Sequence, residues 1–273
     1  MARRLVLGLL LAGAVPAVAD EPWQKREVLG YSVHFTAADA AEIDAVAKVL
    51  RDFDRAFAEA TGAEARLFAG IRIDVYLYPP ASPEVGVGYI SLEGGPRQQG
   101  ELLGYVGKIK MPGPKAYDGT QLSSSGHPMD RNAFDKFLVH EVAPAYLELF
   151  ARSRGARFSD SVPDWFEQGL EEYFAVFHST PYWRTTGIKA YHRRAQQAPT
   201  IDTDFDLNLR DPYNDGLLIL NFLRDEFGEQ AIVGILGSRE PTFGRRLRTS
   251  VDVPFDEFLR RFDRWRSTRL GKS

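Results

Sequence analysis

Apolar residues recur at helical spacing over 37–61, where Ile43, Val46, Ala47, Leu50, Phe53 and Phe57 form one stripe and Gly62 follows as a stop signal. Ahead of this segment, 26–35 has strand character. Behind it, Ile71, Ile73, Val75 and Leu77 alternate with Arg72, Asp74, Tyr76 and Tyr78, the period of a half-buried strand that Pro79-Pro80 ends. Turn chemistry dominates 81–126, with Gly94-Gly95-Pro96, Pro112-Gly113-Pro114 and Ser123-Ser124-Ser125-Gly126, and one strand is predicted inside it over 102–111. Beyond Asp130 the period turns helical, predicting helices over 130–154, 163–178, 213–227, 229–237 and 254–269. Strands first and helices afterwards predict an α+β class: a strand-rich lobe over 20–126 and a mostly helical lobe over 127–273. No repeat or linker interrupts 20–273, which reads as one domain.

The extreme N-terminus follows a different logic. Arg3 and Arg4 precede an apolar run from Leu5 to Val15, and Ala17-Val18-Ala19 supplies the small residues of a cleavage site, so 1–19 reads as a secretory signal peptide. The run is too short to cross a bilayer, and the product is expected to be exported, periplasmic or secreted, with no stable membrane insertion. A composition of 44% hydrophobic and 26% charged residues suffices for an ordinary core, and with no cysteine the core has no disulfide staples. A formal net charge of −3 gives no basic excess, so a nucleic-acid partner is not indicated.

Within the helix starting near Asp130, Phe134, Phe137, Leu138 and Ala145 mark the apolar stripe, and Glu141 falls on it next to His140. A carboxylate on a core-facing stripe is costly unless it is paired, metal-linked or engaged in proton transfer. A His-Glu dipeptide alone is common. What raises its weight is the following helix, Pro163-Asp164-Trp165-Phe166-Glu167-Gln168-Gly169-Leu170-Glu171-Glu172-Tyr173-Phe174.

Together with Lys136-Phe137-Leu138-Val139-His140-Glu141, that helix resembles the gluzincin metallopeptidases, particularly the peptidase MA-like domains. Residues 212–223 look like the family's later helix and 255–265 like its closing helix, so the resemblance spans roughly 130–270. It implies a zincin-like fold. It also implies a zinc ion held by two histidines of His-Glu-x-x-His and by the glutamate that precedes a glycine on the second helix. By position, His140 matches the first ligand, Glu141 the general base, Glu172 an acid that orients a metal-bound histidine, and Tyr213, loosely, an oxyanion partner.

Two ligand positions depart from that pattern. Pro144 stands where the second histidine belongs, and Gln168 stands where the glutamate belongs. Proline carries no donor atom and is expected to kink the helix near 140–144, and glutamine lacks the charge of a good zinc ligand. The resemblance therefore implies a non-hydrolytic relative with no cofactor, binding a peptide, polypeptide or envelope partner in a groove edged by residues 102–111. An alternative keeps hydrolysis, with zinc held by His140, Gln168 and a third group such as His127, and Glu141 as base. A third reading makes His140 and Glu141 hydrogen-bonded core residues.

Other constellations carry less. Gly86-Val87-Gly88 precedes no helix start, and Ser123-Ser124-Ser125 reads as a turn. Glu171 and Glu172 diverge by about 100° on a helix and are expected to be solvated. Phe255, Phe258, Leu259, Phe262 and Trp265, with acids early and arginines late, predict a packed closing helix.

Overall fold

The computed structural model describes residues 22–80, 82, 90–99, 102–123, 126–158, 162–189 and 212–269. The segment 1–19, Gly86-Val87-Gly88, Ser124, Ser125 and His192 lie outside the described residues.

The segment 26–35 is two strands rather than one: β1 (Gln24–Val28) and β2 (Tyr31–Phe35) form an antiparallel hairpin in which Val28 faces Tyr31. Leu29 makes the turn at φ 52°, and Gly30 packs so closely on the Ile71 carbonyl that no Cβ would fit. The chain then crosses over through α1 (Ile43–Thr61), which ends at Gly62 with φ 67°, to β3 (Ile71–Tyr78), parallel to β2. Next come β4 (Ser91–Gln99) and β5 (Leu102–Pro112), an antiparallel pair, with β5 parallel to β3.

The sheet order is β1-β2-β3-β5-β4. This corrects the groove edge expected at 102–111. β5 is bonded on both sides, to β3 and to β4, so its backbone groups are already used, and the outer strand of the sheet is β4. Gly94-Gly95-Pro96, read as turn chemistry, lies within β4; an outer strand tolerates a proline because one of its sides makes no ladder bonds.

One face of the sheet buries Tyr31, Val33, Ile73, Val75, Leu77, Ile109 and Met111 against helices, while the other presents His34, Arg72, Asp74 and Lys108. The helices are α2 (Arg131–Ser153), α3 (Asp164–His178), α4 (Pro212–Phe227), α5 (Glu229–Leu236), α6 (Phe243–Val251) and α7 (Phe255–Arg269). The class is thus α+β, with strands in the N-terminal half and helix concentrated in the C-terminal half. No described helix is long and apolar enough to cross a membrane.

α2 starts where Asp130 accepts a hydrogen bond from the Ala133 amide, and it runs on as helix through Pro144 to Ser153. It is buried on almost every side rather than along one stripe, because it lies between the sheet and the other helices. Its Tyr146 ring meets Phe53 and Phe57 of α1 and Phe68, its Phe150 ring meets Phe57, and Phe174 of α3 packs on the same Phe53 and Phe57, with ring centroids 4.6–6.4 Å apart. α3 and α4 cross where Gly169 meets Gly216: a Cβ at Gly169 would stand 2.8 Å from the Gly216 backbone carbon, so only glycine permits this approach.

Candidate functional site

The close crossing of α3 and α4, and the passage of α2 beneath β4 and β5, bring residues far apart in sequence around one cleft of about 610 Å³. His140, Glu141 and Pro144 enter it from α2, Gln168 and Glu171 from α3, and Tyr213 from the first turn of α4. Leu92, Gly94 and Pro96 of β4 form the opposite wall. A larger hollow of about 930 Å³ lies beside α1 and the end of α3, but its charges are largely consumed internally: Lys48 and Arg55 pair with Asp52, Arg131 with Glu42 and Asp135, and His178 with Glu229.

At the floor of the cleft, His140 is 9% exposed and its ring tilts against Tyr213 with centroids 5.7 Å apart. Its Nε2 lies 3.3 Å from Glu171 Oε2 and its Nδ1 3.1 Å from Glu172 Oε2. The two glutamates do diverge on α3, but the imidazole sits in the angle between them. Both are buried, which corrects the expectation that they are solvated. Lys136, one turn before His140 and so on the same face of α2, brings Nζ to 2.5 Å from Glu172 Oε1. Its ammonium also lies over the rings of Phe137 and Trp183, at 4.7 and 5.3 Å from their centroids.

These contacts set the charge states. Burial opposes charge on His140, but Glu172, Glu171 and Glu141 outweigh it and push the imidazole up to about 9. Burial raises Glu171, His140 offsets this only in part, and Glu167 and Glu141 raise it further, to about 8. Glu172 is the reverse case: burial is overcome by Lys136 and His140, which hold it well below the usual carboxylate range. Lys136, Glu172 and His140 thus form one buried chain, with the Glu172 carboxylate between the two basic side chains.

Zinc, which the resemblance implies, does not fit these residues. Both nitrogens of His140 face carboxylates, Pro144 offers no donor, and Gln168 is uncharged. Among the described residues no group of three or more His, Cys, Asp or Glu could hold a metal ion. His127, the substitute ligand suggested by sequence, is buried elsewhere: its ring lies 4.7 Å from Trp183, Tyr182 stands beside it, and it does not line the cleft. His178 is tied to Glu229 at 3.2 Å.

Glu141 is half-buried and lines the cleft rather than the core. Sequence reasoning passed over Lys136, although its i, i+4 spacing to His140 on an otherwise apolar helix is a readable signal. It also passed over Tyr105 and the pairing of Arg152 with Glu148, which reach the cleft only because β5 and the far end of α2 pass close to one another. No family model matches the chain, and no curated protein matches it.

Proposed function

We propose that the protein is an exported, non-hydrolytic relative of the gluzincin metallopeptidases that binds an extended peptide in the cleft beneath β4. The observation that carries this reading is convergence. The residues named by the resemblance, His140, Glu141, Gln168 and Tyr213, come from three helices and line a single cleft, below a strand whose outer side pairs with no described strand. An extended chain can add to such an edge through main-chain hydrogen bonds while its side chains reach the helices opposite. The donor set supports a lack of hydrolysis: His140 is held between Glu171 and Glu172, and among the described residues no group of three or more His, Cys, Asp or Glu could hold a metal whose bound water Glu141 would deprotonate.

The test is elemental analysis and a peptidase assay on the purified protein, beside a Pro144→His, Gln168→Glu double variant. The expected result is wild type without stoichiometric metal and without cleavage, and a double variant that takes up about one zinc per chain. Chelator-sensitive cleavage by the wild type, abolished in Glu141→Gln, would overturn the proposal in favour of an active enzyme with unusual ligands.

A further inference from the structure

β4 is the outer strand of the sheet, and the alternation of backbone groups along it fixes which of them point away from β5. Tyr105 stands opposite Pro96, and its amide donates at 3.2 Å to the Gly70 carbonyl, on the β3 side of β5. This pair therefore makes no ladder bond between β4 and β5, and the missing amide of Pro96 costs the sheet nothing. By the same alternation Glu93, Gly95 and Arg97 turn their backbone groups toward β5, while the Leu92 and Gly94 amides and the Pro96 carbonyl face outward.

The outward side is self-complementary. An antiparallel copy of β4 laid against it in register about Gly95 sets Gly94 opposite the partner's Pro96, so that an outward amide meets an outward carbonyl on each side of the centre. It also sets Glu93 opposite the partner's Arg97, twice. Glu93 and Arg97 are exposed, and among the described residues neither makes an ion pair. Their backbone groups face β5, so across the new interface they form the pair type without hydrogen bonds, in which side chains stand closest. At the centre a Cβ on Gly95 would meet nothing within 4 Å, which leaves the two strands free to approach.

We propose that two copies of this chain associate by antiparallel pairing of β4 with β4 about a two-fold axis at Gly95. The two sheets join into one, and because the operation closes on itself, assembly stops at the dimer. Pro96 withholds one amide per chain, so the association is weak and reversible. The inference uses the strand geometry and not the peptide reading. It names a competitor for the same edge, since a paired β4 keeps no outward groups for a peptide.

The test is sedimentation equilibrium of the purified protein over concentrations up to about 1 mM, where an interaction of only about 4 kcal/mol is half-formed. Wild type is expected to dimerise. Glu93→Arg and Arg97→Glu should each weaken the dimer by about 10- to 100-fold, because each turns two attractive cross-strand pairs into repulsive ones. The double variant carries opposite charges across the axis again and should recover it. Arg264→Glu, an equal charge change at an exposed site on α7, should leave the dimer unchanged. All of these positions are exposed, so the variants are expected to melt as wild type does. Hydrogen exchange at the Gly94 amide should slow in wild type relative to Glu93→Arg. A wild type that stays monomeric at every concentration, a dimer that neither single reversal weakens, or a dimer whose Gly94 amide exchanges as fast as in Glu93→Arg would overturn the inference. Each of these results leaves the peptide reading standing.

Discussion

Replacing Lys136 by Met tests whether the cation chain beneath the cleft holds the helical lobe together. The Lys136 and Glu172 side chains are 6% and 5% exposed with 2.5 Å between Nζ and Oε1, so removing the lysine leaves a buried carboxylate with His140 as its remaining close cation. Breaking a buried pair from one side costs about 3–5 kcal/mol. The upper end is limited because Glu172 can escape by taking a proton: from its ordinary value of 4.5 to pH 7 this costs about 3.4 kcal/mol, at roughly 1.4 kcal/mol per pH unit. The expected loss at pH 7 is therefore about 3 kcal/mol, or a melting temperature lower by roughly 6 °C at about 2 °C per kcal/mol for a chain of this size. The sign with pH is fixed. The Glu172 carboxyl is depressed in the folded state, so its contribution is present above 4.5 and is lost as pH falls through the folded value, and wild type and variant should converge on acidification. Paired substitution, Lys136→Met with Glu172→Leu, removes both charges and should recover most of the loss. Thermal and urea denaturation at neutral and acidic pH measure all of this. A Lys136→Met protein within about 1 kcal/mol of wild type at pH 7, or one destabilised equally at every pH, would refute the reasoning.

Gly216→Ala should destabilise by about 1–3 kcal/mol or more, because the new Cβ meets the Trp165 carbonyl oxygen and stands 2.8 Å from Gly169 Cα, forcing α3 and α4 apart. A wild-type melting curve would contradict the close crossing. Pro144→Ala should stabilise by up to about 3 kcal/mol, since the helix already runs through this position and regains an amide donor to the His140 carbonyl. An unchanged denaturation midpoint would show that the neighbouring helices have absorbed the proline without cost. Glu229 accepts from Tyr173 Oη at 2.8 Å and contacts His178 Nε2 at 3.2 Å; the His178 contact is the main cause that holds it below 4.5. Its stabilisation is present above 4.5 and lost as pH falls below that, so Glu229→Gln should be less stable at neutral pH and match wild type in acid. A gap between the two that stays constant with pH would exclude that ion pair as the cause.

What could be read from the sequence divides along a physical line. Helices α1, α2, α3, α4, α5 and α7 were legible because each carries enough apolar residues at helical spacing to announce a buried side. α6 was not: Phe243, Leu247 and Val251 are too few against its arginines, and one of these, Arg246, is buried because it donates to the Glu240 and Arg157 carbonyls, partners that only the tertiary structure supplies. β4 was hidden because Gly94-Gly95-Pro96 is as good a turn as it is an outer strand, and what decides is the pairing with β5 across the whole register from Ser91 to Gln99. The same rule governs the site. His140, Glu141 and Gln168 could be singled out because local motifs on two helices name them. Glu172 was named by the same resemblance, but the other partners that set their chemistry lie one turn along α2 or across the α2–α3 interface, as Lys136 and Glu171 do. Tyr105 and Glu148 become neighbours only when β5 lies beside α2. A motif specifies where a catalytic group would stand. Whether it faces a metal, a substrate or its own counterions is decided by contacts between elements, and here those contacts set His140 between two glutamates.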